Sequence, residues 1–230
     1  MSSLPEVNPL VRASSGDQAA LYIRRLIFDG HLTPGTRVPQ EAVAKALGIS
    51  RIPVREALIA LEREGWLTIE PHRGAFINAL DEQAVRDHYE LYGLVYGFAA
   101  SRAVSRAVAG LVDRLAQLER ELVSASSPDE VERVTVAFHS AMVEGAHSPR
   151  IKVVLRAMSA IIPGNFFVVV PAAIDLERRG ISAIVRAVRK DDSDKAAAEY
   201  ARMMHRIGDQ VVAVLKERGL FEHSSVAPHA

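Results

Sequence analysis

Between Gln40 and Asn78 the chain carries two short helical patterns joined through one glycine, then two runs long enough for a single hairpin. In Gln40–Leu47, Val43, Ala44 and Leu47 fall on one face at helical spacing. Gly48 follows, and a residue without a Cβ is suited to the left-handed conformation that ends a helix. Ser50 stands where it would cap the next helix, predicted over Arg51–Glu64. Pro53 lies in the first turn of that helix, where its missing N–H has no intrahelical partner to lose. Val54, Leu58 and Leu61 define the face that packs inward, while Arg51 and Arg55, four residues apart, share the opposite one. Two short helices around a tight glycine turn predict a helix-turn-helix, whose second helix enters the major groove of DNA.

After Gly65, Trp66–Glu70 alternates as a strand does and Ala75–Asn78 is a second such run. Pro71, His72, Arg73 and Gly74 form the polar tip between them, so the pair reads as a wing. Arg73 beside a glycine is placed for the minor groove, where the backbone must come close. Upstream, Asp17–Gly30 reads as a helix with Ala20, Ile23 and Ile27 inward, and Pro34-Gly35 marks a turn.

From Asp81 onward the pattern is helix after helix. Six are predicted, over Asp81–Val108, Val112–Val123, Glu130–Ala146, Arg150–Ile162, Leu176–Arg189 and Lys195–Arg218. Phe166–Val170 is either a seventh, short one or a valine-rich extended run that lacks a partner strand. Asn165, beside a Pro-Gly break, either caps a helix or faces the pocket, the cap being the favoured reading. The fold class is therefore mainly α: an N-terminal winged helix-turn-helix over 16–79, then an all-helical bundle over 80–222. Flexible ends are expected over 1–15 and 223–230.

Composition bounds the function classes. Hydrophobic residues make up 49% of 230, enough for two cores, and none is cysteine, which removes thiolate metal sites and disulfides. With no apolar run of membrane-spanning length and no basic-then-apolar leader, the expectation is a cytoplasmic protein with no membrane partner. Basic and acidic residues number 28 each. DNA affinity then has to come from local placement of arginines, since there is no overall positive charge. No strand-turn-helix nucleophile signature is present, so a hydrolase reading has no support in the sequence.

Several motifs in fixed order strongly resemble the GntR family of regulators: Thr33-Pro34-Gly35-Thr36-Arg37, Leu47 through Leu58, Leu61 through Leu67, and His72-Arg73-Gly74-Ala75-Phe76-Ile77. They cover about sixty residues. The resemblance implies that the start of the second helix and the wing touch DNA. It places Ser50, Arg51 and Arg55 on phosphates or base edges, the two arginines being the candidates for guanine readout. It places Ile52 and Pro53 against a thymine methyl or the backbone, and gives Arg37 and His72 phosphate contacts. A homodimer on a palindromic operator is the expected assembly, acting as a repressor.

The helical half resembles the effector domain of the FadR subgroup, the FCD domain. The resemblance rests on Tyr89-Glu90-Leu91 with Ala99-Ala100, on Val136 through His139 with Met142, on Ile184 with Ala187-Val188, and on Met203-Met204-His205. It implies a small-molecule effector, a carboxylate or another small metabolite, in a pocket formed by Tyr92, Tyr96, Thr135, His139 and His205. Many such domains hold a divalent metal through an aspartate and three histidines. Here only His139 and His205 occupy those places; Thr135 stands for the aspartate and Ile181 for the remaining histidine. No tightly bound metal is expected from that set. The alternatives are a DNA-binding structural protein without an effector and, with less support from the residues, a metal-dependent enzyme.

Overall fold

Ser14 opens the first helix through a reciprocal cap. Its hydroxyl accepts the Asp17 N–H at 3.0 Å and its own N–H donates to the Asp17 carboxylate at 3.1 Å. Asp17 is therefore the third residue of α1 (Ser15–Phe28), and the helix starts two residues earlier than the apolar stripe alone indicates. The computed structural model describes residues 14–158, 161–162 and 165–221. The expected C-terminal tail lies outside them, as does all of the expected N-terminal arm but Ser14 and Ser15. Two compact units divide the chain, one ending at Asn78 and the other beginning at Ala79.

In the first unit α2 (Gln40–Leu47) ends at Gly48, whose φ of 65° is left-handed, and α3 (Arg51–Arg63) follows. Strands β1 (Leu67–Glu70) and β2 (Gly74–Ile77) pair antiparallel, with Leu67 opposite Ile77 and Glu70 opposite Gly74. A feature that the sequence does not announce joins them. The Val38 N–H donates to the Ala75 carbonyl at 2.8 Å, and Gly35 and Thr36 exchange bonds with Ile77. The Pro-Gly turn thus covers one edge of the two-stranded sheet instead of leaving it bare. Ile23 and Ile27 of α1, Val54, Leu58 and Leu61 of α3, and Leu67 and Ile77 are almost wholly buried, forming one aliphatic core.

The second unit is helical: α4 (Glu82–Ser105), α5 (Leu111–Ser124), α6 (Pro128–Gly145), α7 (Pro149–Ala157), α8 (Phe166–Val169), α9 (Ala173–Arg189) and α10 (Ser193–Glu217). Ser127 and Glu130 form a second capping box at the start of α6, with Pro128 in the first turn. α4 ends before Ala107, which takes a φ of 46°. α7 stops at Ala157 and not at Ile162. Met158 leaves the helical region, and its carbonyl accepts a bond from the Tyr92 hydroxyl at 2.6 Å. The valine-rich run is a single helical turn, α8, because the Asn165 side chain accepts the Phe167 and Val168 N–H groups at 3.0 and 3.3 Å. Asn165 is thereby a cap, as its place before the run indicates.

α4 and α10 lie against each other with almost no side chain between them. A Cβ on Gly93 would come within 2.9 Å of the Ala201 Cα, and one on Gly97 within 2.9 Å of the Ala197 carbonyl oxygen. Phe138, Met142, Tyr200, Val211 and Leu215 fill the core around this pair. Among the described residues, no helix is long and apolar enough to cross a membrane.

Candidate functional site

α3 presents its polar side at its first two turns. Val54, Leu58 and Leu61 turn inward, which leaves Ser50, Arg51, Ile52 and Arg55 exposed and Pro53 half-buried. Ile52 is 68% exposed. Ser50 occupies the capping position, yet its hydroxyl makes no bond to the helix, so the expected side-chain cap is absent. Without an acidic residue in its first turn, α3 keeps its leading N–H groups and the positive end of its dipole open to an anion. Arg51 pairs with Glu41 of α2, both side chains being largely exposed. Arg55 has no ion pair among the described residues.

The wing forms a second polar cluster. His72 at its tip takes a φ of 62° and Gly74 one of 115°. The Arg37 side chain lies over Gly74, and the φ of 115° there is the reason a glycine stands at this position. Arg73 pairs with Glu70 and stacks over the Phe76 ring, 5.4 Å from its centre. The structure thus brings Arg37, Arg73 and Gly74 together at the hairpin, and Ser50, Arg51, Ile52 and Arg55 together at the start of α3.

Charge in this unit is nearly balanced, eight basic against seven acidic side chains over residues 14–78. Placement breaks the balance. Asp17 is used in a cap, Glu64 pairs with Arg24, and Glu62 accepts the Ile69 N–H at 2.7 Å. Those three carboxylates serve the fold, whereas Arg37, Arg51, Arg55 and Arg73 sit at the exposed α3 start and the wing, where Glu41 and Glu70 pair with two of them.

In the second unit Tyr92, Tyr96, Thr135 and His139 border one cavity of about 260 Å³ between α4, α6, α8, α9 and α10. His205 does not border it, which corrects the sequence-based assignment. Met204 and Ile207 are the α10 residues that line the cavity, and a one-residue step on a helix turns a side chain by about 100°. His205 is accordingly exposed, with Nδ1 3.2 Å from Glu90 and Nε2 3.9 Å from Asp209.

The residue that the sequence reading missed is Glu177. It is 4% exposed and its Oε2 lies 3.7 Å from the His139 Nε2. A signal for it exists: Glu177 is in helical register with Ile181, Ile184 and Val188, a carboxylate set into an apolar stripe. Glu132 and His88 also border the cavity, with Phe166 and Phe167 closing one side. Burial pushes the Glu132 carboxyl upward in pKa and the His88 imidazole downward. Burial likewise raises the hydroxyls of Tyr89, Tyr92, Tyr96 and Tyr200, so all four remain protonated donors. Tyr200, behind the wall, lies 3.3 Å from the His139 Nδ1.

These residues do not fit a divalent ion. Among those described, no three histidine, aspartate or glutamate side chains converge, and His139 and His205 are not brought together. Tyr96 and His139 also border an adjoining cleft of about 330 Å³ on their other side, where Glu144, Lys152 and Arg156 are exposed.

Against known proteins, residues 16–77 match the family described as bacterial regulatory proteins, gntR family, and residues 87–206 match the FCD domain. An uncharacterized HTH-type transcriptional regulator of Mycobacterium tuberculosis is 31% identical over 151 residues, 66% of this chain and 62% of that protein. The gluconate operon transcriptional repressor of Bacillus subtilis is 25% identical over 156 residues, 66% of this chain and 64% of that one. The chain therefore spans less than two thirds of the length of these relatives. Of solved structures, Escherichia coli McbR/YncC is similar with a TM-score of 0.60 at 19% identity, covering 90% of this chain and 100% of that one. A protein named Lar from Listeria monocytogenes gives 0.59 at 15%, covering 91% and 99%. At these identities the likeness is one of fold.

Proposed function

Since the chain belongs to the GntR family of bacterial regulatory proteins and carries an FCD domain, a family of transcription regulators and not of enzymes, we propose that it is a ligand-responsive repressor of transcription. It binds a palindromic operator through the first unit and answers to a small molecule held in the second. The observation that carries this reading is the exposed start of α3. Ser50, Arg51, Ile52 and Arg55 project there from a helix whose opposite face is fully packed.

In the major groove, Arg55 and Arg51 would donate to guanine edges, and Ile52 would cover a thymine methyl. The Ser50 hydroxyl and the open N–H groups of α3 suit a phosphate, with Pro53 fixing the turn. At the wing, Arg73 would enter the minor groove beside Gly74, while Arg37 and His72 face phosphates. A homodimer is supported by the exposed apolar stripe of Leu91, Leu94 and Phe98 on α4, at one-turn spacing. Repression is supported by the relative that is named a repressor, and the cytoplasm is where such a protein meets DNA.

Selection from a pool of random duplexes, followed by footprinting, tests the proposal. The expected outcome is an enriched inverted repeat with protection of both half-sites. Binding that ignores sequence and weakens uniformly with salt would sink it in favour of a structural DNA protein.

The Glu41–Arg51 pair gives a smaller prediction. Glu41 holds a guanidinium that DNA would otherwise claim, and an exposed pair of this kind is weak. Glu41→Gln should strengthen operator binding about two- to fivefold, read by fluorescence anisotropy at moderate salt. An unchanged or lower affinity would mean that Arg51 has no role at the DNA.

A further inference from the structure

Four buried side-chain polar atoms among the described residues lack a hydrogen-bond partner within the chain: Arg24 Nε, Glu132 Oε2, Thr135 Oγ1 and Glu177 Oε2. The last three border the same cavity. All three are oxygens, two of them on carboxyl groups that have acceptor lone pairs to fill. Thr135 and Glu177 are respectively 5% and 4% exposed, and orphaned polar atoms buried this deeply are rare unless something else completes them.

The rest of the lining points the same way. Among the described residues no lysine or arginine borders the cavity; the cations of the adjoining cleft, Lys152 and Arg156, are exposed beyond Tyr96 and His139. A carboxylate placed here would meet Glu177 and Glu132, and the bases beside it are two imidazoles, His88 and the His139 that already faces Glu177 at 3.7 Å. The remaining walls are aromatic along α4 and α8, with Val136, Ile162, Met204 and Ile207 between them. His88 stacks on Tyr92 with ring centres 4.8 Å apart, and Tyr92 meets Tyr96 edge-on at 5.7 Å. Phe166 and Phe167 close the opposite side. Aromatic faces beside a buried carboxylate form the environment that attracts an organic cation.

We infer that the cavity takes a small protonated amine, its ammonium group donating to Glu177 and Thr135 and its carbon frame lying on Tyr92, Tyr96 and Phe166. This names the effector class for the regulator proposed above and rests on that reading for its biological meaning. Glu177 supplies the charge partner. Glu132, whose carboxyl is held toward its neutral form by burial, accepts a further N–H. At about 260 Å³ the cavity is smaller than those of drug-sized ligands, so the occupant is a compact monoamine or diamine.

The test uses calorimetric titration of the full chain with two matched pairs, 2-phenylethylamine against 3-phenylpropionate and butylamine against butyrate. The amines are expected to bind saturably in the millimolar range or tighter, and each at least about tenfold more strongly than its acid. Glu177→Gln keeps the shape and removes the charge, so amine affinity should drop about tenfold or more. Glutamine keeps the shape and can still face His139, 3.7 Å away, without a buried charge, so the variant without amine should melt close to the parent. A residue that merely supports the fold would show the opposite. Glu132→Gln provides a second variant, with a smaller loss of affinity.

Acids binding better than amines, or no amine binding at all, would overturn the assignment of ligand class. Such a result would leave the regulator reading intact if the chain without added amine still selects an inverted repeat. Failure of that selection alone would instead remove the regulator and leave the amine site standing.

Discussion

Arg55→Ala should abolish discrimination between the selected operator and a scrambled duplex while leaving the protein as stable as before. A bidentate arginine–guanine contact separates right from wrong bases by about 1–3 kcal/mol, roughly five- to 150-fold in affinity. A symmetric dimer would make the contact twice. Arg55 is exposed and carries no ion pair among the described residues, so its truncation should change the melting temperature little. Arg51→Ala should lose less, because Arg51 gives up its pair with Glu41 on reaching DNA. The salt dependence distinguishes their roles. Loss of a phosphate contact lowers the slope of log affinity against log salt by about one, whereas loss of a base contact lowers the sequence ratio. Equal affinity of parent and Arg55→Ala for operator, measured by anisotropy at two salt concentrations, would remove Arg55 from sequence reading.

The parts legible in the sequence were those with local physical causes. Gly48 ends α2 and Asn165 caps α8 because a left-handed turn and a free N–H pair each select a short list of residues. The buried face of α3 followed from Val54, Leu58 and Leu61 in the same way. What escaped depends on contacts between distant segments. Nothing in Thr33–Val38 announces that it will bond to Ala75 and Ile77, since those bonds are made by backbone groups that every residue carries. Ser50 shows the limit of a local rule: it holds the capping position without making the cap.

The cavity divides along the same line. Tyr92, Tyr96, Thr135 and His139 were reached through a resemblance in the first and third long helices, and all four border the cavity. On α10 a step of one residue carries a side chain from wall to solvent, which is what separates Met204 from His205. Glu177 went unnoticed for a different reason. Carboxylates are sought where ligands or metals are expected, whereas this one lies inside the apolar stripe of α9, where its burial is the information. That one residue changes the chemistry of the site from a place for an acid to a place for a base.

Gly97→Val should do the greatest damage to the second unit. Gly93 and Gly97 are one turn apart on α4 and face Ala201 and Ala197, also one turn apart on α10. The atom that an added Cβ at 97 would meet, at 2.9 Å, is a backbone carbonyl oxygen, so no change of rotamer relieves it and the helices must part. Overpacking of this kind destabilises by about 1–3 kcal/mol and occasionally more; valine's modest gain over glycine in helix propensity offsets a small part. A loss of about 3 kcal/mol corresponds to a fall of roughly 6–12 °C in melting temperature for a domain of this size. The same parting shifts Tyr92 and Tyr96 away from Met204 and Ile207, so amine binding should vanish in folded Gly97→Val at low temperature. Gly145→Ala is the internal comparison. Its added carbon meets the tip of the Leu111 side chain at 2.9 Å, which can rotate away, and a much smaller shift is expected. If Gly97→Val melts with Gly145→Ala and still binds the amine, α4 and α10 are not locked backbone to backbone, and the cavity owes its shape to something other than the two glycines.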